Sequence, residues 1–530
     1  MKKLITILFA AVVLTAADSP DLTMQTRIRQ EGLRNSKVMD IASGLMDGIG
    51  ARLTGSPNMK RANEWTRDQL TQFGLSNAHL ESWGPFGRGW SYESCSVRMT
   101  SPDVVQLNAI PKAWSPGTNG PLRGRPVKVK LETSDDLQKQ KGKLAGKIVM
   151  ASDPTTPKQH ETPDFRRYDT KELSELEQYD IAPKPRFTPA EGVRRRRFRR
   201  ELAQFLQDEK VAALIEEGRG DYGTMVVQSS GSQKPEDPQG VPTVTMEAEH
   251  YDRIARLLDA NKDVELEIDF KTTLYDQDKN AYNTVAEIPG TDRKNEIVML
   301  GAHLDSWHSG TGATDNGAGV VATMEAVRIL KAIGIAPRRT IRIALWSGEE
   351  QGLLGSRAYV GQHFGKREDP KDPKQRDLPF SMRTEKTSLV LTPEHAKLSA
   401  YFNLDNGTGR VRGIYAQSNA AARPIFESWI EPLKDLGVTA VTMRDTGSTD
   451  HVAFDEVGLP GFQFIQDEIE YETRTHHTNW DTYERLQKED LMQAATVIAT
   501  FVWEAANRAE MMPRKPLAQS DLAPTVTTPH

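Results

Sequence analysis

Histidines and carboxylates recur at five places in the second half of the chain, three of them directly behind apolar runs. The run Ile297 to Leu300 passes through Gly301-Ala302 into His303 and Asp305, which sit two apart in extended chain and so point the same way. A polar loop then leads to Asp315-Asn316-Gly317-Ala318-Gly319. Glu349 and Glu350 follow the run Thr340 to Trp346, and Asp405 follows Leu398 to Leu404. His476, His477 and Asp481 come after Gly461 to Gln466 and an acidic loop. Imidazole nitrogen and carboxylate oxygen, with no thiolate, suit zinc, with manganese or cobalt as alternatives. Each place alone has an ordinary explanation: a hydrogen-bonded loop pair, a helix N-cap at Asp315, a solvated glutamate pair, a turn at Asp405-Asn406-Gly407 or a histidine loop. Taken in this order, they point to a metal centre.

The elements that must hold these groups read as strand, helix, strand. Val320, Val321, Met324, Val327 and Leu330 make one helical stripe, stopped by Gly334, between the runs at 297 and 340. Charged residues at the carboxyl ends of such strands lie where open α/β sheets build their sites. This α/β texture runs from residue 278 onward and ends in a helix striped by Leu491, Ala494, Val497, Ile498 and Phe501. Residues 22–80 read as helical, broken by the turn chemistry of Gly50 to Pro57. Between 113 and 277 short strands dominate, including Val127 to Leu131 and Val241 to Met246, as in a separate β-rich domain. Inside it, Arg194 to Arg200 holds six arginines and leads into an amphipathic stretch. A solvated helix face is the plainer reading; a patch for an acidic partner or a substrate carboxylate is the other.

With 68 basic and 73 acidic residues, charge is near balance, so neither nucleic acid nor an anionic membrane is indicated as a partner. Lys2-Lys3, the uncharged segment Leu4 to Ala17 and the small residues before Asp18 read as a cleavable secretory signal. That segment is shorter than the ~20 residues of a membrane span, so stable insertion is not expected. A single cysteine, Cys95, excludes an intrachain disulfide, which is ordinary for a bacterial periplasmic or secreted protein.

The series His303-x-Asp305, Asp315-Asn316-Gly317-Ala318-Gly319, Gly348-Glu349-Glu350, Asn403-x-Asp405 and His477-Thr478-x-x-Asp481-Thr482 resembles the co-catalytic zinc exopeptidases of metallopeptidase family 28. The likeness includes Arg52-Leu53-Thr54-Gly55-Ser56 and spans most of 30–510. It implies an α/β fold, a mixed central sheet with helices on both faces, formed by 18–112 and 278–512. The stretch 113–277 would be an inserted protease-associated domain, with a signal peptide at 1–17 and a disordered tail at 513–530. Carried over by position, the resemblance implies two zinc ions bridged by Asp315, one held by His303 and Asp405, the other by Glu350 and His477. Asp305 would orient the His303 ring, and Glu349 would be the general base. A metal pair acidifies water and polarises the scissile carbonyl, so a carboxylate that does not ligate must carry the proton to the leaving amine. His476 stands where part of the family has a tyrosine able to hydrogen-bond the oxyanion; it either does the same or packs beside the metal loop. The Asp315–Asn316 peptide bond is expected to be cis.

The implied activity is a secreted exopeptidase acting at the N-terminus of peptides or on dipeptides. A glutamate-type carboxypeptidase is the alternative, although only about one helix and a tail follow the last ligand. A one-zinc glutaminyl cyclase and a non-catalytic receptor fit less well, because no ligand is missing. A bound ammonium needs carboxylates. Asp450 and the loop acids Asp467, Glu468, Glu470 and Glu472 are the candidates, although Asp450 equally suits a helix cap. A C-terminal carboxylate needs a base, and Arg474 is the one near the metal motifs. Oligomeric state, a homodimer included, stays open.

Overall fold

The computed structural model describes residues 19–155, 160–178, 188–376, 378–385 and 387–517; the expected signal peptide and residues 518–530 of the expected tail lie outside them. Eight strands form the main sheet: β1 (Ser76–Pro85), β2 (Asn280–Ile288), β3 (Arg293–His303), β4 (Arg339–Trp346), β5 (Leu398–Asn403), β6 (Val411–Tyr415), β7 (Ala440–Thr442) and β8 (Gly461–Gln466). Their order is β1-β2-β4-β3-β5-β8-β6-β7. The middle strands β4, β3, β5 and β8 run parallel, whereas β2 is antiparallel to both its neighbours, β1 and β4, and β6 opposes β8. Parallel strands are covered on both faces, which is why they read as unbroken apolar runs. In β3, Val298 and Leu300 join the cluster of helices Ala318–Ala332 and Lys488–Asn507, while Ile297 and Met299 pack with Tyr359, Phe364 and Phe454 on the other face. Each such side chain contributes roughly 1.5–3 kcal/mol by burial. Helix Ala318–Ala332 starts tightly against the sheet: a Cβ on Gly319 would lie 2.3 Å from the Leu404 carbonyl. No helix of the described residues is long and apolar enough to cross a membrane.

Just beyond the β1–β2 pair, Gly89–Ser101 pairs antiparallel with Glu265–Tyr275, so a two-stranded ribbon carries the chain out of the main sheet and back. Val105–Leu107 and Leu122–Gly124 complete a four-stranded sheet with that ribbon. A five-stranded sheet packs on it, in the order Ala109–Pro111, Thr243–Met246, Ala213–Glu217, Ile148–Met150 and Pro126–Lys128. Val97, Met99, Ile215, Tyr251, Leu266 and Phe270 lie in their shared core. This inserted unit therefore begins at Gly89, ahead of the change in sequence texture at 113, because its first strand is defined by a partner far down the chain. The arginine run lies on helix Pro189–Asp208, capped by Thr188 and Glu191. Phe198, Leu202 and Phe205 turn inward while Arg194 to Arg197, Arg199 and Arg200 are exposed.

The tail is not disordered from residue 513 as expected. Asn419 donates to the Pro513 carbonyl at 2.7 Å, and the Arg514 guanidinium donates to the His395 and Leu398 carbonyls at 2.8 and 2.7 Å. An arginine satisfied by backbone oxygens leaves no mark in composition.

Candidate metal centre

Because β4, β3, β5 and β8 are adjacent and parallel, their carboxyl ends deliver Glu349-Glu350, His303, Asp405 and the loop to His477 to one edge of the sheet. Asp315 enters from the turn before helix Ala318–Ala332. His303 Nε2 lies 3.3 Å from Asp315 Oδ1 and 3.3 Å from Asp405 Oδ1. His477 Nε2 lies 3.2 Å from Asp315 Oδ2 and 3.0 Å from Glu350 Oε2. All five expected ligand residues are thus brought together, with Asp315 in the middle.

The cluster is acidic and dry. Asp315 Oδ2, Glu350 Oε1 and Asp405 Oδ1 are buried without a hydrogen-bond partner, an arrangement that costs free energy unless a cation meets them. Burial, reinforced by Asp405, Asp450 and Glu350, pushes Glu349 well above the usual carboxylate range despite the opposing pull of His303. Burial and Asp315 do the same to Glu350. Burial opposes a charge on His303, but Asp405, Glu349, Asp305 and Asp315 outweigh it and raise the imidazole well above its ordinary value. Burial would raise Asp315 too, yet His303, His477 and His476 hold it low. Bound cations remove this conflict, and the donor set suits zinc.

The profile of peptidase family M28 matches residues 283–502, the stretch that holds every one of these expected ligands. The chain carries a peptidase family M28 domain. It is accordingly a zinc metallopeptidase. Among its relatives, carboxypeptidase Q of Mus musculus is 28% identical over 476 residues, 89% of this chain and 86% of that one. The crystal structure of a peptidase M28 precursor from Shewanella amazonensis is 25% identical, with a TM-score of 0.65 over 93% of this chain and 99% of that one. BSAP, a zinc aminopeptidase from Bacillus subtilis, shares the fold at 20% identity, with a TM-score of 0.55 over 89% and 94% of the two chains.

Around the ligands, the M28 domain holds its loops with buried polar groups. His303 Nδ1 faces the backbone carbonyl of Asp305 at 2.9 Å, while the Asp305 carboxylate is 3.7 Å away. Asp305 therefore orients the ring through its backbone, and its carboxylate has another task. It accepts the N–H groups of Glu349 and Glu350 at 3.2 and 3.3 Å and the Thr54 hydroxyl at 2.9 Å, fixing the glutamate turn. Asp481 accepts the Thr314 N–H at 2.5 Å, its hydroxyl at 2.9 Å and the Asp315 N–H at 3.2 Å. The Asp315–Asn316 bond is cis, and Asn316 caps the following helix by accepting the Gly319 N–H at 3.0 Å. Arg52, wholly buried, donates to the carbonyls of Leu304, Thr311 and Gly312 at 2.6, 2.6 and 2.8 Å. Burial lowers this guanidinium to about 10, offset by Asp481, Asp305 and Asp315.

The structure also sorts the groups expected to receive substrate. Asp450 is buried, makes no side-chain cap to the helix His451–Asp455, and has no well-formed hydrogen bond at either carboxylate oxygen, the Ser356 hydroxyl being its weak neighbour. Burial pushes it up to about 7 against the opposing pull of His303 and the Ser356 hydroxyl, with Asp405 and Asp305 adding to the effect. The acidic loop is otherwise committed, contrary to the expectation from composition. Asp467 holds Arg167 and the Tyr168 N–H, both at 3.0 Å, Glu468 pairs with Arg166 at 3.3 Å, Glu470 accepts from Arg485 at 2.8 Å, and the Glu472 carboxylate faces His476 Nδ1 at 3.8 Å. Arg474 is bound to Asp164 and Asp221 at 2.8 and 2.9 Å. His476 stacks on Tyr471, ring centroids 4.8 Å apart, with Nε2 4.0 Å from Asp315 Oδ2. Sequence reasoning missed the part of Thr314 outright and knew Arg52 and Thr54 only as members of a segment in the family likeness. A hydroxyl in a loop gives no warning of its partner.

Proposed function

We propose that this protein is a secreted or periplasmic exopeptidase with two zinc ions bridged by Asp315, one held by His303 and Asp405, the other by Glu350 and His477. The observation that carries the reading is that two histidine nitrogens, His303 Nε2 and His477 Nε2, approach different oxygens of one buried carboxylate at 3.3 and 3.2 Å. When bound, the metal pair supplies an acidified water and a polarised scissile carbonyl. Glu349 ligates neither ion in this reading. It takes the proton from the water and passes it to the leaving amine, and its buried, acid-lined setting supports high proton affinity. His476, steadied by Tyr471, donates to the oxyanion. The unit from Gly89 to Tyr275 is a protease-associated domain that walls the site.

The substrate end is read at the amino terminus of a peptide or dipeptide. Asp450 is the carboxylate left to meet an ammonium, whereas the loop's own arginine, Arg474, is held by Asp164 and Asp221. Acetylating the N-terminus of a peptide is expected to abolish cleavage, and amidating its C-terminus only to slow it. The opposite pattern makes the enzyme a carboxypeptidase.

A further inference from the structure

His303 is oriented by its own domain, through the Asp305 carbonyl. His477 is served differently. The group beside its Nδ1, 3.1 Å away, is the carboxamide of Gln228, a residue of the inserted unit, with Nε2 as the nearer atom. Gln228 is itself well fixed. Its carbonyl accepts the Ala113 N–H at 3.1 Å, and the preceding Val227 N–H donates to the His477 carbonyl at 3.0 Å. Val226 forms a β-bridge with Thr478, and the Met225 N–H donates to Asn479 Oδ1 at 2.7 Å. Asn479 Nδ2 donates to the Gly223 carbonyl at 3.0 Å. Segment 223–228 therefore lies along 477–479 and holds it from outside the M28 domain. His477 needs such support, because its backbone is in the left-handed region at φ +62°, uncommon for a residue with a side chain.

We propose that Gln228 is a positioning residue for the zinc site: it sets the tautomer and ring orientation of His477, so that the inserted unit takes part in metal binding. The proposal rests on His477 being a zinc ligand. For Nε2 to present its lone pair beside Asp315 and Glu350, the ring proton must sit on Nδ1, and the Gln228 carboxamide, whose two ends are isosteric, must turn by a half-rotation to exchange Nε2 for its oxygen as acceptor there. An acceptor at that position fixes the ring and raises its basicity, and losing one typically costs 10–100-fold in metal affinity or activity.

The test is zinc affinity of the full-length protein, titrated against a chromophoric chelator, with His477→Ala as reference. Gln228→Leu is expected to weaken one of the two zinc equivalents by roughly 10–100-fold and leave the other unchanged. Gln228→Glu, which keeps an acceptor, is expected to restore the affinity. If Gln228→Leu does not fold, Gln228→Asn, whose amide stops short of Nδ1, must weaken the same equivalent. His477→Ala weakening one site while the Leu or Asn variant binds like the parent overturns the proposal alone. His477→Ala leaving both sites intact overturns the ligand reading beneath it.

Discussion

His303 and His477 approach the same carboxylate from opposite sides, yet one stands at the end of a buried parallel strand and the other on a loop steadied by a different part of the chain. The His303 side chain is 1% exposed, its neighbour Asp405 stands at a strand end, and Arg52 holds the chain between His303 and Asp305 through the Leu304 carbonyl. The His477 side chain is 21% exposed and leans on Gln228 and Trp307. A strand end places a ligand through the geometry of the whole sheet. A loop places one only as well as its local partners allow, so the second half of the centre is where the inserted unit has leverage.

The largest effect separates the two adjacent glutamates, one of which belongs to the His477 side and the other to neither. Glu349→Gln is expected to keep both zinc ions and lose turnover by about 10²–10⁴-fold, the usual contribution of a general acid–base group. Glu350→Gln is expected to lose metal selectively on the His477 side. Metal content by elemental analysis, read with kcat, checks both. Equal metal content and equal residual activity in the two variants would remove the division of roles.

The next effect lies on the His303 side and concerns stability. Arg52→Met strands the carbonyls of Leu304, Thr311 and Gly312 in a dry interior. Leaving a buried acceptor unpaired costs about 1–3 kcal/mol, so a loss of several kcal/mol is expected, read as a large drop in the melting temperature of the metal-free protein. A shift of a degree or two would mean that this side is not held by its buried arginine.

These two halves were not equally readable. The proposed ligands His303, Glu350 and Asp405 stand at or just past apolar runs, because a strand covered on both faces must be apolar until it reaches the site. The same reasoning reached His477 only through its motif, and nothing in the sequence pointed to Gln228. Charge bookkeeping failed in the acidic loop for a related reason. Asp467 is committed to Arg167, some 300 positions away, a pairing that composition cannot reveal. The early start of the inserted unit at Gly89 and the docked residues 513–517 escaped for the same cause, since both are fixed by long-range partners.

The smallest effect tests whether the clasp on the His477 side responds to pH. His160 Nδ1 lies 2.7 Å from Asp164 and Nε2 lies 2.6 Å from Asp221, the same two carboxylates that hold Arg474 at 2.8 and 2.9 Å. Hydrogen bonds to Asp221 and then Asp164 raise this imidazole above its ordinary value. A histidine raised on folding contributes stability that is fully present below its unfolded pKa of about 6.5 and is lost as pH climbs through the folded value. The ring is solvent-accessible, so the effect is small and salt-sensitive. Arg474 remains charged throughout and keeps both carboxylates paired after the imidazole is neutral. His160→Gln is therefore expected to lower the melting temperature slightly near pH 6, with the deficit closing at alkaline pH, above the raised imidazole value, and shrinking in high salt. A deficit of the same size at both pH values would show that His160 acts by packing against Tyr222, whose ring lies 5.8 Å away, and not by its charge.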